Sequence, residues 1–266
     1  MRLSPKDART ILLKCPSDIG IRNTGRKGTL DAPGQLLQDH GYDNVYIDEV
    51  FPHEFSLPDN QQRIRDRIDE LLQHQPPVIS LGGDHSVSYP LISAFRDAHP
   101  GLKLVWIDAH YDLKEVRLDE GVPHDAVIRA LLDDGLDLED ILFAGVRESD
   151  PDEDDFLLQR QTNELSVDEI EGNSQGALQD LVDERLTPGS DPVYVSVDID
   201  VLDADRVPGT TFPSQDGVSL EAAEKLVRSF KDYNIVGWDL VEIAPSLDQG
   251  GKTLEAGRTL LDTMLD

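Results

Sequence analysis

The sequence predicts an α/β protein built on a mostly parallel sheet covered by helices on both faces. Short apolar runs rich in β-branched residues alternate with stretches of helical spacing, which is the signature of strands joined by helical crossovers. The most conspicuous polar motifs stand directly after such runs, where open α/β sheets build their ligand crevices. A length of 266 residues suits one large domain or two small ones. No fixed-period repeat interrupts it.

Taken in order, the apolar runs at 11–15, 44–50, 78–81, 102–107, 141–146, 193–197 and 235–241 are expected strands. Cys15 closes the first run and reads as a buried strand residue. Between the runs, helical spacing covers 61–74, 91–99, 127–133, 177–186 and 219–233. In the last of these, Ser219 is a plausible N-cap, and Leu220, Ala223, Val227 and Phe230 form one packing stripe. The acidic, turn-rich segment 148–155 and the segment 186–191 are expected loops, and neither has the character of a domain boundary.

Composition narrows the class. With 53 acidic against 24 basic residues the net charge is -29, which opposes binding to nucleic acid or an anionic membrane. The acidity is spread along the chain, so it describes a solvated anionic surface, tolerable where salt screens strongly; a high-salt cytoplasm is the expected setting. A single cysteine excludes an intrachain disulfide and a thiolate-rich zinc site. The start Met-Arg-Leu-Ser-Pro has no apolar leader core, and no apolar run approaches a bilayer span. A soluble, cytoplasmic protein is expected.

Three motifs carry the chemistry. After the run 102–107 comes Asp108-Ala109-His110-Tyr111-Asp112, whose alternate positions in an extended chain point three ligand side chains to one side. After 193–197 come Asp198 and Asp200, again two positions apart. The third is Gly82-Gly83-Asp84-His85-Ser86, whose glycines permit a sharp turn that could deliver His85 to the same place. Carboxylates at this density repel one another and protonate unless cations neutralise them. Four Asp with two His and no Cys favour a hard divalent ion, with Mn²⁺ a good match. Two such ions would balance four carboxylates, and a bridging hydroxide would leave the site slightly negative, suited to a cationic substrate.

These motifs, in this order, resemble the signatures of the arginase and agmatinase (ureohydrolase) superfamily: Gly-Gly-Asp-His-Ser at 82–86, Asp-Ala-His-x-Asp at 108–112 and Ser-x-Asp-x-Asp-x-x-Asp at 196–203. The resemblance runs from about Asp18 to the C-terminus. It implies a single domain over 1–266 with a three-layer α/β/α arginase-like fold, two Mn²⁺ per chain and a homotrimer or homohexamer. Carried over by position, His85, Asp108, Asp112 and Asp198 would hold one ion, and His110, Asp108, Asp198 and Asp200 the other, with Asp108 and Asp198 bridging. A water shared by two ions becomes acidic enough to attack an amidine-like carbon. His124 would shuttle protons, although Asp125 replaces the glycine usual after it. Asp84 would orient a ligand or cap its turn. Glu242, in Asp239-Leu240-Val241-Glu242-Ile243-Ala244-Pro245, would anchor the cationic head of the substrate. Ala244 and Ala204 stand where asparagine and proline are common, outside the inferred metal ligands.

The family hydrolyses arginine, agmatine, other guanidino compounds and formimidoylglutamate. The loop 113–121 lacks the Ser-Gly-Asn type segment of arginases, while Tyr111 and the glycine- and arginine-rich stretch 20–28 are closer to formimidoylglutamases. Formimidoylglutamate is therefore the expected substrate, with Lys114 and Arg117, joined by Arg22 or Arg26, meeting its carboxylates. Agmatinase or arginase activity releasing urea is the alternative. A zinc deacylase, which would usually show adjacent histidines, and a catalytically silent metal-binding relative complete the readings.

Overall fold

A computed structural model describes every residue except 1, 2, 22–25, 39, 40, 75, 117 and 190. Its strands are β1 (Thr10–Cys15), β2 (Val45–Glu49), β3 (Val78–Gly82), β4 (Lys103–Ile107), β5 (Ile141–Ala144), β6 (Asn163–Leu165), β7 (Pro192–Asp198) and β8 (Asn234–Val241). They form one sheet in the order β2-β1-β3-β8-β7-β4-β5-β6, and every pairing is parallel. The helices are α1 (Ala32–Leu36), α2 (Leu57–Leu71), α3 (Ser88–Ala98), α4 (Val127–Asp133), α5 (Pro151–Leu157), α6 (Val167–Gly172), α7 (Gln175–Arg185), α8 (Leu220–Ser229) and α9 (Lys252–Leu265).

Strand alternation sorts the core into two layers. Ile11, Leu13, Cys15, Leu104, Trp106 and Tyr194 point to one side, where α2, α3 and α4 supply Ile64, Ile68, Leu91, Phe95 and Leu131. Leu12, Val105, Ile107, Val195 and Val197 point to the other, against Leu36 of α1, Val182 of α7, Leu226 of α8 and Leu260 of α9. This is the expected three-layer α/β/α arrangement. On α8, Ser219 caps the Ala222 N–H as expected, and Ala223, Val227 and Phe230 are buried.

Two expectations change. The segment 148–155 is not wholly loop: from Pro151 it forms α5, because Asp150 and Glu153 close a capping box that turns acidity into a helix start. β6 is three residues long and escapes an apolar-run criterion. Among the described residues no helix is long and apolar enough to cross a membrane.

The sheet order also places the site. β7 and β8 insert between β3 and β4, so the carboxyl ends of these four strands lie side by side at the point where the winding changes direction. Ligand crevices of open α/β sheets form at such switch points.

Candidate metal centre

Each strand of this central quartet ends in a candidate side chain. His85 follows β3, Asp108 follows β4, Asp198 ends β7 and Glu242 follows β8. Nδ1 of His85 lies 3.1 Å from Asp108 Oδ2, 3.2 Å from Asp198 Oδ2 and 3.4 Å from Asp112 Oδ2. Nδ1 of His110 lies 3.1 Å from Asp200 Oδ2 and 3.4 Å from Asp108 Oδ1. Five of the six sequence-predicted ligands thus converge in two groups that share Asp108, and Asp112 stands beside the first group through its approach to His85. Asp198 falls in the first group only, its Oδ1 accepting the Asp200 N–H.

The route to this convergence differs from the extended chain expected for 108–112. β4 stops at Ile107, Asp108 Oδ1 accepts the His110 N–H, and Asp112 takes a left-handed backbone with φ 53°. A turn, rather than strand alternation, brings Asp112 back over the strand end. The glycines before His85 also act differently from expectation. Neither has a positive φ; a side chain at Gly83 would collide with the Ser17 carbonyl. Asp84 caps its own turn through the Ser86 N–H and ties it to Ser17 and the Gly20 N–H.

The electrostatics bear on metal. Burial, followed by neighbouring carboxylates, raises Asp112, Asp198 and Asp200 above the usual carboxylate range. Burial alone would lower His85, but Asp108 and Asp198 against its ring raise it well above 6.5. Nδ1 of His85 and Oδ2 of Asp108 are buried without a hydrogen-bond partner, although 3.1 Å apart. Orphaned donor atoms of this kind, converging on one point, fit a divalent cation.

Several contacts around the ligands lie outside the sequence motifs. The His85 ring is stacked on Trp106, and the indole Nε1 donates to the His110 carbonyl at 3.2 Å. Arg147 donates to the carbonyls of Gly145, Asp200, Val201, Leu202, Ser214 and Gln215, clasping the loop that carries Asp200. Glu148, held by Ser214, lies 3.6 Å from His110 Nε2. Glu148 opens the segment expected to be a bare loop and Arg147 stands just before it, so only their charge could have singled them out.

The ligands open into a cavity of about 300 Å³ that also reaches Lys114, His124, Asp125, Glu148, Asp150, Glu153, Phe212 and Glu242. Glu242, with φ 63°, accepts the His85 N–H at 2.7 Å and the Thr211 hydroxyl. Burial and Asp84 push its carboxyl up to about 8. His124 stacks on Phe212, with Nδ1 3.9 Å from Glu242 Oε1, and burial lowers its pKa. The Lys114 ammonium is held between Asp150 and Asp152. Arg26 donates to the Thr210 carbonyl instead; Arg22 and Arg117 lie outside the described residues. A larger hollow of about 630 Å³ runs beside α2 and α3, and none of its lining residues belongs to either group of ligands.

Comparison with known proteins agrees with this geometry. A family model described as "Arginase family" matches residues 8–266. The mitochondrial agmatinase of Gallus gallus is 34% identical over 233 residues, covering 86% of this chain and 66% of the relative. The chain thus spans just under two thirds of that relative's length. The formimidoylglutamase of Halobacterium salinarum is 33% identical over 275 aligned positions, covering 95% of this chain and 87% of the relative. Among solved structures, proclavaminate amidino hydrolase from Streptomyces clavuligerus superposes with a TM-score of 0.87 at 25% identity, over 98% of this chain and 93% of that one.

Proposed function

Because this chain belongs to the arginase family, we propose that it hydrolyses a C–N bond of a linear guanidinium or amidinium compound at a centre of two Mn²⁺ ions. One observation carries the reading: Glu242, a buried carboxylate fixed by the His85 N–H and Thr211, lines the same cavity as both groups of metal-ligating side chains. His85, Asp108, Asp112 and Asp198 would hold one ion, and His110, Asp108, Asp198 and Asp200 the other. When bound, the ions supply a water acidified towards neutrality and polarise the carbon it attacks.

The chain's own residues do the rest. Glu242 pairs with the planar cationic head through charge-assisted hydrogen bonds. Burial keeps His124 neutral near pH 7, so that it takes a proton at a ring nitrogen and returns it to the departing amine. Phe212 holds that ring flat against the cavity wall. The products are an amine and either urea or an amide, according to the head group.

The cavity wall also bears on the far end of the substrate. Asp125, Glu148, Asp150 and Glu153 line it, and the one lysine among them is already matched by Asp150 and Asp152. A second cation, as in agmatine, suits that wall better than the two carboxylates of formimidoylglutamate. The relative from Halobacterium salinarum, aligned over more of both chains than the agmatinase, supports formimidoylglutamate as the second reading. A trimeric or hexameric assembly belongs to the same proposal.

The test is a panel of agmatine, guanidino acids, arginine and formimidoylglutamate, assayed for urea, formamide and ammonia after Mn²⁺ loading. Agmatine should turn over fastest, and Lys114→Ala, which frees two carboxylates, should widen its lead over carboxylate-bearing substrates. Faster turnover of formimidoylglutamate installs the second reading. Two bound ions with no turnover of any substrate would identify a silent relative.

A further inference from the structure

Behind His85 runs a line of buried polar groups that touches neither the cavity nor solvent. Nε2 of His85 lies 2.9 Å from Ser196 Oγ. The Ser196 hydroxyl donates to Asp239 Oδ1 at 2.6 Å, and the Tyr194 hydroxyl donates to Asp239 Oδ2 at 2.8 Å. Tyr194, Ser196 and Asp239 are each 0% exposed. The sheet sets this line: Tyr194 and Ser196 are alternate residues of β7, and Ser196 stands in register with Asp239 of β8.

The chemistry of the groups gives the line a direction. An ionised carboxylate only accepts, and a hydroxyl carries one proton. With its proton committed to Asp239, Ser196 can only accept from His85, so Nε2 must bear hydrogen. A neutral imidazole then has its lone pair at Nδ1, the atom that faces Asp108, Asp112 and Asp198. The reverse tautomer would aim a proton at the place where a cation belongs. A buried carboxylate with no ion-pair partner among the described residues is costly, and an asparagine could occupy the same space at lower cost. The carboxylate is needed because it cannot donate.

We infer that Asp239 is a positioning residue that, acting through Ser196, sets the tautomer of His85 and so the occupancy of the ion position built on that ring. This rests on the two-ion centre proposed above. Tyr194 holds the second oxygen of Asp239 and steadies it.

The experiment compares Mn²⁺ binding by wild type, Asp239→Asn, Ser196→Ala and Tyr194→Phe, using equilibrium titration together with electron paramagnetic resonance. Wild type should hold both ions as a magnetically coupled pair. Asp239→Asn should weaken the ion on His85 by about 10- to 100-fold, the usual cost of losing a group that orients a ligand. The ion on His110 and Asp200 should stay, now with an uncoupled spectrum. Ser196→Ala should act in the same direction, and Tyr194→Phe less strongly. A fold defect would weaken both ions together, so the split between them separates positioning from simple structural loss. If Asp239→Asn does not fold, Ser196→Ala and Tyr194→Phe decide the matter by the same split. Wild type with a coupled pair and Asp239→Asn with an identical pair overturns the inference alone. A wild type that binds no Mn²⁺ overturns it together with the metal centre.

Discussion

The imidazole of His85 lies flat on the indole of Trp106, with ring centroids 4.1 Å apart and planes 1° from parallel. The same indole donates to the backbone carbonyl of His110, so one core residue braces both candidate ligand histidines. Trp106→Phe keeps a stacking face and loses that donor, and should lower stability by about 1 kcal/mol. Trp106→Ala removes the support and should cost about 3–5 kcal/mol. Chemical denaturation of the metal-free variants measures both; equal losses would show that stacking volume is irrelevant.

Metal removal should couple to pH with a definite sign. In the metal-free protein burial and neighbouring charge raise Asp112 and Asp198, and paired carboxylates raise His85. The folded chain then binds more protons than the unfolded one above about pH 3.9 for the carboxylates and about 6.5 for the histidine. Its stability therefore falls as pH rises through that range. Asp108 is lowered instead, but its stabilising contribution is lost only in acid, below that window. Since Mn²⁺ bound as proposed would take the place of these protons, the gain in melting temperature on adding it should be larger at pH 8 than at pH 5.5. Melts in chelator and in Mn²⁺ at both values decide, and a gain larger at pH 5.5 would contradict the account.

Arg147 should be irreplaceable by lysine. Its guanidinium reaches six carbonyls from three segments of chain, and a single ammonium cannot span that fork. Arg147→Lys should destabilise by about 2–4 kcal/mol and raise hydrogen exchange in the loop after Asp198. Wild-type stability with unchanged exchange would show the clasp to be redundant.

The net charge of -29 should make salt a stabiliser. Raising KCl from about 0.1 M to above 1 M shortens the screening length from about 10 Å to 3 Å and weakens repulsion among surface carboxylates. The melting temperature should rise across that range. A flat or falling curve would refute the expectation.

The sequence was informative where physics is local. β-branched runs located seven of the eight strands, and the ligands could be named because each stands at a strand end in a motif dense in His and Asp. What stayed hidden depends on register or on distant chain. Nothing near Asp239 shows that Ser196 will stand opposite it. The acidity of 148–155 hid a helix, because the same carboxylates that suit a loop also cap and charge a helix N-terminus. Lys114 read as a free cation, since its partners Asp150 and Asp152 lie far along the chain.

The sheet order has a consequence for biogenesis. β3 and β4 are made early, yet they are separated by β7 and β8, which emerge last. A growing chain that has reached β6 therefore carries two open strand edges facing a gap two strands wide, bare of the backbone partners that will fill it. Until β7 and β8 are released, those edges are competitors for each other and for neighbouring chains. The candidate ligands of β3 and β4 meet those of β7 only when the gap closes, so the centre cannot assemble before β7 and β8 have emerged.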